Sequence, residues 1–236
     1  EELKAAGAIY GVDDDLYFRV HSDADFGSRS HLGQEESLKI FAERGGDPAR
    51  VGKEDPLDSL VWLAQRPNEP GWPSIHGKGR PGWHIECTAM SLSLLDNRID
   101  VHVGGIDLRF PHHENEIAQS KCAGHDFANV WLHNEMLQID GKKMSKSLGN
   151  TLDALGLAKK IPGAILRIAL LSTRYSHPLP WTKEKFLQAE KIWIRILNLM
   201  HADTTLYEDL VPQLFVDALI MDLNTPEAFT QMLQAP

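Results

Sequence analysis

The sequence predicts an α/β fold, a strand-and-helix region built on a parallel sheet and followed by a helical region, and two observations carry this reading. Between residues 86 and 139 short elements alternate: a helix at about 86 to 96, a strand from Ile99 to Val103, a helix from Pro111 to about Cys122, and a strand from Val130 to Ile139. Strand, helix and strand at this spacing imply a parallel sheet. Beyond Asn150 the apolar residues fall at helical intervals, from Ala164 to Leu171 and from Phe186 to Met200, and predict an all-helical region.

The preceding residues read differently. Ile9 to Val12 and Leu16 to Val20 suit a β-hairpin turning through Asp13-Asp14-Asp15. Residues 22 to 58 are polar and Gly-rich, with one helix expected from Glu35 to Arg44, and resemble a peripheral insertion. From Asn68 to Gly82 the chain crowds Pro70, Gly71, Pro73, Gly77, Gly79, Pro81 and Gly82, which excludes regular helix and marks a long, shaped loop.

Composition narrows the function. Apolar residues make up 42% and charged residues 24% of the chain, the balance of a globular protein with a substantial core. No run of about 18 apolar residues is present to span a bilayer. The first six residues, Glu1 to Ala6, lack the basic start and apolar stretch of a signal peptide and do not begin with Met, so the sequence is expected to start inside a longer protein. Two cysteines, Cys87 and Cys122, are too few for a disulfide framework and point to a reducing cytoplasm. The net charge of −9 gives no general attraction to nucleic acid, so any RNA contact is local.

Cys87, His112 and Glu116 are candidate metal ligands. With Pro111 at the first position of a helix, His112 and Glu116, four apart, project from one face. A thiolate, an imidazole and a carboxylate are all normal Zn²⁺ ligands, and a fourth closes a tetrahedral site. Cys122 is a poor fourth, because six residues past Glu116 is about 240° around a helix. On spacing alone the same residues also suit an exposed helix pair and a packed cysteine.

The runs Gly79-Arg80-Pro81-Gly82-Trp83-His84-Ile85-Glu86-Cys87 and Gly104-Gly105-Ile106-Asp107-Leu108-Arg109-Phe110-Pro111-His112-His113-Glu114-Asn115-Glu116-Ile117-Ala118-Gln119-Ser120 resemble the cysteinyl-tRNA synthetase family. The resemblance implies a Zn²⁺ ion held by Cys87, His112 and Glu116, with the family's other Cys in an amino-terminal half that this sequence lacks. It also implies that Trp83 and His102 line the pocket for the substrate, cysteine. A metal suits that task. Size and apolar contact separate close analogues by only about 1–3 kcal/mol, whereas Zn²⁺ binds a thiolate far better than an alcohol.

Lys143-Met144-Ser145-Lys146-Ser147 follows the Val130 to Ile139 strand and resembles the KMSKS signature of class I aminoacyl-tRNA synthetases. Two lysines on a Gly-flanked loop can close over a triphosphate and neutralise charge on the leaving pyrophosphate. Lys146 is the first candidate and Lys143 its assistant, acting on ATP with Mg²⁺. Gly105 and Asp107 follow the Ile99 to Val103 strand. There the resemblance assigns close approach of ATP to the glycine and a ribose contact to the carboxylate.

The resemblance further implies the second half of a Rossmann-like class I catalytic domain, with a connective insertion at residues 1–75 and the zinc and KMSKS segments at 76–150. A stem-contact region follows at 151–190, including Leu166 to Pro180. Residues 191–236, with Asp222-Leu223-Asn224-Thr225-Pro226-Glu227-Ala228, begin a helical anticodon-side domain that contacts tRNA(Cys). No HIGH signature occurs, and the half that carries it is expected before residue 1. Val103 stands where the family often has Gly. Two other readings are the related cysteine ligase of mycothiol synthesis and a noncatalytic zinc or tRNA-binding fragment.

Overall fold

The computed structural model describes residues 1–95, 98–139, 141–144, 148–202 and 212–234. The chain forms two units, residues 1–132 and 133–236. The first begins with the short helix α1 (Glu2–Ala5) and the expected hairpin, β1 (Ile9–Val12) and β2 (Asp15–Phe18), in antiparallel register. The turn takes Asp13 at φ 53°, a left-handed conformation that Asp tolerates. Asp15 is not a turn residue: it opens β2 and is buried, accepting from Ala64 N at 3.0 Å and from Arg66 Nη2 at 2.6 Å.

The hairpin continues into a four-stranded antiparallel sheet, order β1-β2-β3-β4, through β3 (Ser59–Ala64) and β4 (Gly79–Pro81). The Gly- and Pro-rich stretch is therefore a loop only as far as residue 78, and its last residues are an edge strand. Glycine is needed there for close approach: a Cβ at Gly79 or Gly82 would collide with the carbonyl oxygens of Leu63 and Leu60. Helix α2 (Gln34–Glu43) occupies the helical position expected in the polar segment.

Helix α3 (Trp83–Leu95) starts three residues earlier than its periodicity suggests. It leads to β5 (Ile99–Gly105), which pairs with β6 (Ala128–Asn134). Between these strands lie a single 3₁₀ turn at Ile106–Leu108, a wide turn at Arg109–His113, and α4 (Glu114–Cys122). The core of this unit gathers Leu3, Ala8, Phe18, Val20 and Ala118, so α4 packs on the hairpin side.

In the second unit, β7 (Leu137–Ile139) is the centre of a three-stranded sheet, order β8-β7-β9, with β8 (Lys142–Lys143) antiparallel and β9 (Leu179–Pro180) parallel to it. Two expectations are corrected here. The strand predicted from Val130 to Ile139 is interrupted at residues 135–136, where Glu135 N instead donates to Tyr175 O at 2.7 Å. The region beyond Asn150 is not all helical, because β9 is anchored by Leu179 N to Met136 O (3.2 Å) and Trp181 N to Gln138 O (2.8 Å).

The helices of this unit are α5 (Ala154–Ala158), α6 (Gly163–Leu171), α7 (Lys183–Ala202), α8 (Gln213–Ile220) and α9 (Thr225–Gln234). Asp153 caps α5, accepting from Leu155 N at 3.0 Å and Gly156 N at 2.9 Å, the orphan donors of a first turn. Ile165, Ile168 and Ala169 of α6 bury against Ala189 of α7. Among the described residues no helix is long and apolar enough to cross a membrane.

Candidate functional site

The first turns of α3 and α4 face each other, and each brings polar side chains into a buried space. Trp83, His84 and Cys87 come from α3. On the other side, the wide turn supplies His112 and His113, and α4 supplies Glu116. Pro111 does not open a regular helix: its peptide bond to Phe110 is cis, Phe110 is extended (φ −136°, ψ 137°), and α4 begins only at Glu114. His112 and Glu116 nevertheless converge, with Nε2 3.8 Å from Oε1.

Residues from the polar insertion brace this turn. The Glu114 carboxylate accepts from the backbone of Gly27 (3.0 Å), Arg29 (2.8 Å) and Ser30 (2.6 Å). Arg44, at the end of α2, donates to Phe110 O at 2.8 Å, and Asn115 Nδ2 donates to Pro111 O at 2.8 Å. The segment that reads as peripheral therefore holds the site's main turn.

Two donor sets result. The ligating atoms of Cys87, His112 and Glu116 all lie within 4.8 Å of one another, and so do those of His102, His113 and Glu116. His112, His113 and Glu116 are buried, at 5%, 3% and 1% exposure, while Cys87 and His102 are partly exposed. Glu116 stands between the sets: Oε1 faces His112, and Oε2 lies 3.2 Å from His102 Nε2 and 3.9 Å from His113 Nε2. Neither oxygen has a hydrogen-bond donor in bonding geometry. A desolvated carboxylate without donors is costly, and a cation between such groups removes that cost. The donor set thus fits a metal ion.

Electrostatics agree with this. Burial lowers the pKa of His112, opposed by the Glu116 charge, so its imidazole stays neutral and able to ligate. Burial, together with His112, pushes His84 down to about 3. Burial, then the charges of Glu116 and Glu86, raises the Cys87 thiol; a bound cation would reverse that direction. His84 Nδ1 lies 2.8 Å from His112 Nδ1, and Trp83 stacks on the His112 ring at 4.4 Å and 24°. His102 and His113 sit under Trp131, at 4.6 and 5.0 Å. Gly104 makes room for His113: a Cβ there would lie 2.7 Å from its Cε1.

The structure therefore gathers five of the residues singled out from sequence: Trp83, Cys87, His102, His112 and Glu116. Gly105 ends β5 and Asp107 lies in the 3₁₀ turn after it, on the connection that leads to His112. Lys143 lies in β8 of the second unit, its backbone paired with Gln138. Lys146, with Ser145 and Ser147, lies outside the described residues. Sequence reasoning missed His84, His113 and Trp131. The one signal for His113 was its place beside His112 in a doublet, and His84 follows Trp83 in the same run.

Residues 1–191 match the family model of the tRNA synthetase class I (C) catalytic domain. The chain is 44% identical over 238 residues to a cysteine–tRNA ligase of Jannaschia sp. (strain CCS1), covering 98% of this chain and 50% of that protein. It is also 44% identical to an L-cysteine:1D-myo-inositol 2-amino-2-deoxy-alpha-D-glucopyranoside ligase of Rhodococcus jostii, covering 97% of this chain and 57% of that one. The chain thus spans about half the length of these relatives. In structure it is similar to Mycobacterium tuberculosis methionyl-tRNA synthetase in complex with methionyl-adenylate, at TM-score 0.61 and 15% identity, over 98% of this chain and 60% of that one.

Proposed function

The chain belongs to the class I (C) tRNA synthetase catalytic-domain family, and from that premise we propose that it is the zinc-binding part of a cysteine–tRNA ligase. Its α/β fold is the Rossmann-like fold of class I synthetases, and in this reading the chain is the second half of that domain. The proposed reaction activates cysteine with ATP to cysteinyl-adenylate, releases pyrophosphate, and transfers cysteine to tRNA(Cys) in the cytoplasm. The observation that carries the proposal is the convergence of Cys87, His112 and Glu116, within 4.8 Å, in a chain of this family.

In this reading Cys87, His112 and Glu116 hold Zn²⁺, with a fourth ligand from an amino-terminal half that also supplies the HIGH signature. When bound, the ion supplies strong ligation of the substrate thiolate and weak ligation of the serine hydroxyl. Were His112 to hold the ion through Nε2, its proton would sit on Nδ1 and donate a hydrogen bond to Nδ1 of neutral His84, 2.8 Å away, fixing the ring. Trp83 covers the outer face of His112 by stacking and borders the substrate pocket with His102. Gly105 and Asp107 receive ATP where β5 ends, as expected at the carboxyl end of a strand. Lys143 and Lys146 neutralise the Mg²⁺-bound triphosphate as pyrophosphate leaves.

The proposed organisation keeps residues 1–75 as the connective insertion, 76–150 as the catalytic segment, 151–190 as the stem-contact region and 191–236 as the start of the anticodon-side domain. ATP–pyrophosphate exchange, measured with the HIGH-bearing half supplied in cis, tests the proposal. Exchange should depend on cysteine and fall at least tenfold in Lys146→Ala; unchanged exchange would remove the loop from the mechanism. Cys87→Ser should lose zinc and preference for cysteine over serine together.

The Rhodococcus ligase, equally identical to this chain, favours a second reading in which the activated cysteine goes to an aminosugar. Transfer to a tRNA transcript, compared with transfer to a glucosamine-inositol acceptor, separates the two. A preparation that binds zinc or tRNA but exchanges no pyrophosphate with the amino-terminal half present would be the noncatalytic module.

A further inference from the structure

We propose that Arg44, at the end of α2, is a positioning residue for the metal set of Cys87, His112 and Glu116: it fixes the backbone that carries His112 without touching the ion. The inference rests on the metal reading given above and deepens it, by placing part of the control of the ion's affinity in the polar insertion.

The turn that carries His112 does not hold its own backbone. Phe110 is extended, at φ −136° and ψ 137°, so it stands outside any helical ladder and its carbonyl needs a donor from elsewhere. Arg44 Nη1 is that donor, at 2.8 Å, and a charged donor makes the bond one of the stronger kind. The next carbonyl, Pro111 O, accepts from Asn115 Nδ2 at 2.8 Å. On the other flank of His112, the Glu114 carboxylate takes the backbone N–H groups of Gly27, Arg29 and Ser30. The insertion therefore grips the chain two residues before His112 and two residues after it.

A positioning residue needs a firm base, and Arg44 has one. Phe41, one helical turn earlier on α2, is 3% exposed, and Gly46 lies so close to its ring that a Cβ would sit 2.6 Å from Cδ1. The buried Lys53 side chain places its ammonium over the rings of Phe41 and Tyr17, at 4.9 and 5.3 Å. Lys53 also donates to Asp47 Oδ1 at 3.1 Å, and Tyr17 Oη of β2 donates to Asp47 Oδ2 at 2.5 Å. The end of α2 is thus fastened to the four-stranded sheet, and Arg44 reaches from there to the turn. Ligands fixed in advance lose less freedom when an ion binds, so this support raises affinity. Removing Arg44 frees the turn while leaving every ligand and its charge in place.

Cobalt(II) titration of the 236-residue chain tests the role, with the ion alone as probe and absorbance as readout. The wild-type chain should show a thiolate-to-cobalt band that Cys87→Ser removes. Arg44→Met, which keeps an apolar stem and loses the donors, should weaken binding about tenfold, the low end for residues that support metal ligands. Its visible cobalt bands should also shift, and Arg44→Lys, which keeps a charged donor, should recover most of the affinity. Arg195 likewise donates to a backbone carbonyl, Leu233 O at 2.9 Å, but in the second unit, and Arg195→Met should leave cobalt affinity unchanged. A merely structural part for Arg44 would lower the melting temperature and leave the affinity and bands of the folded chain at their wild-type values; that result overturns the proposal, as does a failure of Arg44→Lys to recover affinity. A wild-type chain without the Cys87-dependent band would instead remove the metal reading, and this inference with it. If circular dichroism shows Arg44→Met unfolded, Glu114→Gln, which loosens the other flank, carries the same expectation.

Discussion

Helix α4 buries Glu114, Asn115, Glu116, Gln119 and Ser120, whereas α6 and α7 bury Ile165, Ile168, Ala169 and Ala189. Both lose solvent to comparable depth, but only the second arrangement gains free energy from the loss, at roughly 25 cal/mol per Å² of apolar surface. Burying polar groups costs stability unless each finds a partner. On α4, Glu114 has three donors, but both Glu116 oxygens and Asn115 Oδ1 have no donor, and Gln119 Nε2 has no acceptor. The difference separates a helix kept for cohesion from one kept for what it presents.

The largest expected effect tests the apolar side. Ile168→Ala should destabilise the second unit by about 2–5 kcal/mol through a cavity, read by denaturant unfolding, with no change in metal affinity. Glu114→Ala should follow, at about 3 kcal/mol, because three backbone donors of residues 27–30 lose a charged acceptor; hydrogen exchange at Gly27, Arg29 and Ser30 would accelerate. Glu116→Gln should sharpen the contrast. It should abolish metal binding yet stabilise the metal-free protein by about 1–2 kcal/mol, since an unpaired buried charge is removed, and a lower melting temperature without metal would contradict that account. Asp153→Ala should cost about 1 kcal/mol through the lost α5 cap.

The smallest effect concerns acid. Lys121 bonds to Asp25 at 2.8 Å, and this hydrogen bond holds the Asp25 carboxyl below its ordinary value. A depressed folded-state pKa contributes stability above the ordinary carboxylate range, lost as pH falls through the depressed value. Lys121→Met should therefore flatten the acid limb of a stability-versus-pH curve below about pH 4, with less change at neutrality than any substitution above.

The same contrast explains what could be read from the sequence. The helical positions of α6 and α7 were legible, because apolar spacing records an apolar interface. The polar α4 is silent to that method and was placed by Pro111, which turned out to precede the helix rather than begin it. Cys87, His112 and Glu116 stand out by ligand chemistry and the four-residue spacing of the last two, and resemblance to a family motif favours a metal over an exposed helix pair and a packed cysteine. His84 and His113 were missed because their role depends on distances of 2.8 to 3.9 Å to residues on other elements or turns. Strand β9 is two residues long and exists through hydrogen bonds to residues 136 and 138, far away in sequence.

Each donor set has an indole against it, Trp83 on His112 and Trp131 on His102 and His113. Two of the chain's six tryptophans thereby lie one against each set, and their emission should respond when the adjoining imidazole changes its electronic state. Replacing either tryptophan with phenylalanine would assign a fluorescence change to one side of Glu116, giving an optical readout of events beside that carboxylate.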